Sequence, residues 1–360
     1  MTSPVHVAVV VAAIAVSAVC RAQDDTPGDL AHAHFLHEVP PPPVPLIASE
    51  AGFEEWQRKH RRAYDDGAAA SAAYAAYADN VGAAARMQRV NPHATFAVGR
   101  RADVRFERAL PWPKRHRPPA VTEPPRDLPR PTPPHVDWRA VGAVVPVADV
   151  GACAGAAVAF TVTTVASAAA KLRGISGKEL VAASAQQLVD CGRRECHGTT
   201  PDAVVQSLLA NNGGLLLTNK SYPWRRTSQA CDSKRIGGVA AYRVTGTRRF
   251  NPDDEADLEY QVSQGPVGVT VRAADWGLYE GGVISECGRG SPGGKADYVA
   301  TIVGYNNAAN PPHWILQHSW GAEWGIGGAV LLAKGQNTCG VLDAPFTVGV
   351  EPVVPTLDDD

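Results

Sequence analysis

The chain has 360 residues, a formal net charge of -2 and 45% hydrophobic residues, enough for one large domain or two modest ones. A charge so close to balance gives no electrostatic basis for nucleic-acid or membrane-surface binding, so neither is expected as a partner. Glycine (34) and proline (29) are both abundant, and the prolines gather mostly in two clusters.

The first 22 residues read as a secretory signal, an apolar run from Val7 to Val19 then Cys20-Arg21-Ala22, short for a spanning helix; the lack of Lys or Arg before the run leaves an uncleaved anchor as the alternative. No later stretch reads as apolar for long enough to cross a bilayer, so no membrane association is expected once the signal is removed. Residues 24–47 are proline-rich and end in a Pro40-Pro41-Pro42-Pro43-Val44-Pro45 run that forms no packed element. From Gly52 to about Arg89 the pattern predicts helix, with Phe53, Trp56 and His60, then Tyr74, Tyr77 and Val81, at helical spacing. Asn91-Pro92 stops it. A basic, proline-rich linker follows over 111–134, and its Lys114-Arg115-His116-Arg117 reads either as solvated charge or as a processing site.

From Val136 to about Val350 the pattern is globular. A long apolar helix is predicted over Gly155–Leu172, and a second begins at Ser184, where Ser184-Ala-Gln-Gln187 spells a capping box. Gly265–Val271 and Tyr298–Gly304 read as β-branched strands. Helices early and strands late predict an α+β fold with a helical half and a sheet half.

Of seven cysteines, Cys20 falls in the signal. The remaining Cys153, Cys191, Cys196, Cys231, Cys287 and Cys339 make an even set in a secretory chain, which predicts three disulfides and no free thiol. Only Cys196-His197 comes near metal-ligand spacing, so no metal or other cofactor is expected.

Several segments carry a family resemblance. Val136-Asp-Trp-Arg-Ala-Val-Gly-Ala-Val-Val-Pro-Val147 resembles the opening of a mature papain-family protease. Asn91-Pro-His-Ala-Thr-Phe96 and Val303-Gly-Tyr-Asn-Asn-Ala-Ala-Asn-Pro-Pro-His-Trp314 resemble the cruzipain and brucipain group of cathepsin L-like enzymes. Gly213-Gly214, Ser221-Tyr-Pro223, Gly265-Pro-Val267 and Ser319-Trp-Gly-Ala-Glu-Trp-Gly325 fit in order, so the resemblance covers about residues 50 to 350.

The resemblance implies a papain-like two-lobed fold, with a helical left lobe and a sheet or barrel right lobe, preceded by a helical inhibitor-type prosegment. It divides the chain into a signal (1–22), a propeptide (23–110, its inhibitor region about 52–110), the linker (111–134), a peptidase-like domain (135–350) and an acidic tail (351–360). It also implies the pairing Cys153–Cys196, Cys191–Cys231 and Cys287–Cys339. The prosegment motif keeps Tyr77, Asn80 and Asp103, while its usual charged positions are mostly Ala.

A papain-type site needs a thiolate at a helix N-terminus, a His to take its proton, an Asn orienting that His, and a Gln donating to the oxyanion. Where the family runs Gln-Gly-x-Cys-Gly-Ser-Cys-Trp-Ala-Phe, this chain runs Val150-Gly-Ala-Cys153-Ala-Gly-Ala-Ala-Val-Ala159-Phe160, one residue longer. Counting from Cys153 puts the nucleophile position at Ala156, and counting back from Phe160 puts it at Ala157. Val150 stands for the oxyanion Gln, Tyr298 for the His and His318 for the Asn. Four altered positions predict no enzyme but a protease homologue whose groove binds a peptide, a cystatin-type inhibitor or the prosegment of an active relative. The alternative is an active cysteine-type endopeptidase of the cathepsin L type, as membership alone would imply. Gly198, Thr199, Trp320 and Ala344 are the groove residues the resemblance implies, with Ala344 near the floor of the main specificity pocket. Asn219-Lys-Ser221 is a glycosylation sequon. A monomer in the secretory pathway, lysosomal, endosomal or extracellular, is expected.

Overall fold

A computed structural model of the chain describes residues 47–100, 102–104, 131–192, 195–236, 240–288 and 296–353. The expected signal, most of the linker with its basic tetrad, and most of the acidic tail lie outside the described residues. The chain separates into Met1–Glu38 and Val39–Asp360, and the elements below belong to the second unit.

The predicted N-terminal helix is two helices. α1 (Glu50–His60) starts where the Ser49 side chain accepts from the Gly52 amide, and ends at Arg61, left-handed at φ 52°. α2 (Gly67–Val90) starts at Asp66, whose carboxylate accepts from the Ala69 amide. The break costs little because the stripes still meet: the Phe53 and Trp56 rings lie 5.2 and 5.8 Å from that of Tyr77. Asn80 reaches out from α2 and donates to the carbonyls of Ala102 and Val104, folding the following chain back onto the helix pair.

β1 (Ala94–Phe96) leaves this unit and pairs antiparallel with β6 (Tyr279–Ile284). Just before it, Asn91 is fully buried: its Oδ1 accepts from the amides of Ser285 and Glu286, and its Nδ2 donates to the carbonyls of Glu286 and Met87. Asn91 thus does more than end a helix; it clamps the N-terminal segment to a loop nearly two hundred residues away.

The remaining elements are β2 (His135–Asp137), α3 (Ala157–Leu172), α4 (Ala185–Cys191), α5 (Pro201–Asn212), β3 (Leu215–Leu217), α6 (Ser233–Ile236), β4 (Ala240–Arg249), α7 (Glu255–Gln264), β5 (Val267–Val271), β7 (Tyr298–Asn306), β8 (His313–Gln317), β9 (Ala329–Ala333) and β10 (Phe346–Glu351). The strands run in the order β1-β6-β9-β8-β7-β5-β10-β4-β3, with β2 on β7. The pairings are antiparallel except β6 with β9. The helices come early and the strands late, as the sequence predicts.

α3 is the core helix, twelve of its sixteen residues being buried. With the one-turn 3-10 helix before it, Ala154–Leu172 is long and apolar enough to cross a membrane, contrary to the expectation that no such stretch follows the signal. Burial of 78% of its apolar window explains the composition: it is surrounded by protein, packing against β10, β7 and α5. Thr163 and Ser167 are absorbed locally, donating back to the carbonyls of Ala159 and Thr163. At α4, only half of the capping box forms. Ser184 accepts from the Gln187 amide, but the Gln187 side chain turns to β3, donating to Leu215 and accepting from Leu217.

Candidate active-site groove

The segment before α3 is built around Cys153. This residue is bonded to Cys196, and Gly155 lies so close to the backbone of Cys196 and Gly198 that a Cβ there has no room. The other bridges join Cys191 to Cys231 and Cys287 to Cys339, so every described cysteine is oxidised. Ala156 closes the 3-10 turn and is the N-cap of α3; Ala157 is its first residue. Both are buried, and the head of the helix presents methyl groups.

The loop 148–151 lies along the chain after β8. Asp149 bridges Trp320, the Val150 amide donates to the Ser319 carbonyl at 3.0 Å, and the Gly321 amide donates to Ala148 at 2.9 Å. This brings Val150 beside the stretch that carries His318 and Trp320. Across it, Phe160 of α3 meets Trp224 edge-on at 4.9 Å, and the Trp224 indole N–H donates to the Asp149 carbonyl.

His318 sits at the centre of an aromatic box. Its ring stacks on Tyr298 at 4.1 Å and 10°, and lies 3.9 Å from Trp320, 4.9 Å from Trp324 and 5.8 Å from Trp276. The Trp324 indole N–H donates to the Trp276 carbonyl, which ties two walls of the box together. Neither ring nitrogen of His318 has a hydrogen-bond partner among the described residues. Burial holds the imidazole well below its ordinary 6.5, so it is neutral, and burial pushes the Tyr298 phenol far above its ordinary 10.0. The phenol is therefore protonated and the imidazole neutral. A small cavity beside them is lined by Phe160, Thr161, Thr164, Gln317, His318 and Ser319.

The structure therefore gathers Val150, Tyr298, His318 and Trp320 into one place. Gly198, left-handed at φ 76°, and the buried Thr199 flank the Cys153–Cys196 bridge. Ala344 is buried before β10, and its carbonyl accepts from Nη1 of Arg249, a buried guanidinium that also pairs with Asp202 at the start of α5. Asn219 is exposed in a turn after β3. Sequence reasoning missed Trp276 as a wall of the box and Asn91 as a clamp. No periodic pattern marks an aromatic in an irregular loop, and Asn-Pro reads first as a helix stop. Among the described residues, no group of three or more His, Cys, Asp or Glu is placed to hold a metal.

A helical N-terminal segment strand-paired to a domain with a core helix and a mostly antiparallel sheet, stapled by three disulfides, defines a papain-like proenzyme architecture. Residues 132–348 match the papain family cysteine protease domain. "Cysteine proteinase A" of Leishmania mexicana is 32% identical, across 88% of this chain and 91% of its own. "Cysteine proteinase" of Trypanosoma brucei brucei is 29% identical, across 81% and 65%. The digestive procathepsin L 3 of Tenebrio molitor superposes with a TM-score of 0.68 at 23% identity, covering 83% of this chain and 98% of its own. The chain belongs to the papain family of cysteine proteases, and its similarity to the trypanosomatid enzymes matches the resemblance read from the sequence.

The comparisons correct one expectation. Reading Val150, Ala156 or Ala157, Tyr298 and His318 as replaced catalytic residues led to a chain that is no enzyme. The family is one of proteases, and a relative aligned over most of the chain is named a proteinase.

Proposed function

We propose that the protein serves proteolysis as a cathepsin L-type, papain-family endopeptidase made in proenzyme form within the secretory pathway, in a lysosomal, endosomal or extracellular setting. The observation that carries this reading is the family match over the whole of 132–348, together with an N-terminal segment docked through β1 and Asn91. The expected domain boundaries belong to the same reading, with the inhibitor-type region ending before the linker and the peptidase-like domain opening at about residue 135.

A second reading rests on a specific observation, the methyl groups of Ala156 and Ala157 at the head of α3. A methyl group forms no thioester. Under this reading the groove around Gly198, Thr199, Trp320 and Ala344 holds a peptide, a cystatin-type inhibitor or a prosegment. The two readings separate in one assay: cleavage of a fluorogenic dipeptidyl substrate with an apolar P2 residue, at acidic pH with reductant, before and after trimming of the linker. Turnover by the trimmed protein supports the first. Its absence from folded, disulfide-bonded protein that still binds a cystatin-type inhibitor supports the second and overturns the first.

A further inference from the structure

Asn219-Lys220-Ser221 is the one Asn-x-Ser/Thr triplet in the chain whose middle residue is not proline. We infer that Asn219 carries an N-linked glycan, making the turn after β3 the modified face of the helical half. The inference rests on local geometry and on the secretory setting proposed above.

β3 ends at Leu217, and Thr218 forms a bridge with Ala183 at the entry to α4. The Asn219 amide then donates to the Ala182 carbonyl at 2.8 Å. The Thr218 hydroxyl accepts from the Ser221 amide and meets the Ser221 hydroxyl at 2.7 Å, while Ser184 donates to the Tyr222 carbonyl at 2.6 Å. Arg235 adds a further bond, Nη1 donating to the Ser221 carbonyl. The backbone of the turn is therefore fixed on several sides. The side chain of Asn219 is not used in any of this: it is exposed and makes no hydrogen bond among the described residues. Several other asparagines are structurally committed, Asn80, Asn91, Asn211, Asn212 and Asn337 each donating through their amides. Asn219 is a spare amide on a rigid, solvent-facing turn, a place where a bulky, hydrated substituent displaces no contact.

The three disulfides supply the second condition, since they form in the oxidising lumen where such transfer takes place. The donor is an oligosaccharide on a lipid diphosphate. A bond forms between Asn219 Nδ2 and the anomeric carbon, the bond from that carbon to the diphosphate oxygen breaks, the lipid diphosphate leaves, and Nδ2 gives up one proton. Transfer to the unfolded chain would precede burial of the Ser221 hydroxyl against Thr218, so folding afterwards is no obstacle.

The test is the intact mass of the full chain secreted from a eukaryotic host, with peptide mapping and treatment with a peptide N-glycosidase, the amidase that hydrolyses the Asn side-chain amide. The expected result is one glycan's mass above the signal-trimmed chain, mapped to the peptide containing Asn219 and removed by the amidase with conversion of Asn219 to Asp. S221T should keep the glycan and N219Q should lose it. Secreted wild-type protein at its bare chain mass, or a glycan mapped to any residue other than Asn219, overturns the inference. Because mapping is done on the wild type, a variant that fails to fold does not blur the answer.

Discussion

At His318 a single buried residue ties stability to pH. Its imidazole is buried among Tyr298, Trp276, Trp320 and Trp324, and burial holds it well below 6.5. In the unfolded chain it binds a proton below about 6.5; in the fold it does not. The unfolded state thus binds more protons as the pH falls, and stability present above 6.5 is lost below it, by up to about 1.4 kcal/mol per pH unit for one such group. His313, also lowered mainly by burial, adds to the same slope. Denaturant unfolding at pH 7.5 and pH 5 should show this loss, and H318N should flatten the slope whatever its constant offset. An unchanged slope would mean that His318 is protonated in the fold. The Gly155 approach is sharper. A Cβ there collides with backbone rather than with a flexible side chain, so G155A should destabilise by about 3 kcal/mol or more, or abolish secretion of folded protein. The small residues of the Cys153–Phe160 stretch were visible in the sequence. That one of them is small because another backbone passes against it was not, since the partner, Gly198, lies beyond a disulfide loop.

Docking of the N-terminal segment is an element-scale property, and it depends on a buried polar residue at the end of α2. Replacing Asn91 by Ala leaves two part-buried amides, those of Ser285 and Glu286, without their acceptor. About 1–3 kcal/mol of docking energy should go with them. Hydrogen exchange should then quicken in β1 and β6, with the core of α3 little changed; equal quickening throughout would place the clamp in the global fold instead. The element pattern itself was largely legible. The core helix, the start at Ser184 and the strands Val267–Val271 and Tyr298–Asn306 all follow from apolar runs, caps and β-branching. What was not legible depends on partners remote in sequence. Gln187 looks like a capping partner locally, but β3 competes for its amide and wins, with two bonds instead of one. The Arg61–Asp66 break was signalled by Asp66 before a Gly-Ala run, a cap that the continuous alanine-rich pattern concealed. The site was half legible: motif positions singled out Val150, Tyr298, His318 and Trp320, and the fold alone showed that His318 is boxed by Tyr298, Trp320, Trp324 and Trp276, with Val150 hydrogen-bonded to the neighbouring Ser319.

For the whole molecule, three disulfides brace the fold and the N-terminal segment docks on it through β1 and Asn91. Cys191–Cys231 closes a span of 40 residues, and the loop-closure argument assigns it about 4 kcal/mol. The double variant C191S/C231S should lose a stability of that order in denaturant unfolding, and a loss under 1 kcal/mol would show that the reduced chain keeps its compactness there. The central proposal is that the chain's own N-terminal segment acts as a prosegment that covers a papain-type groove. The most direct measurement is calorimetric titration of secreted protein with a cystatin-type inhibitor, before and after the linker is cut and the segment removed at acidic pH. The account predicts no binding to the intact chain and stoichiometric binding to the trimmed one. Absence of binding to folded, trimmed protein would contradict it.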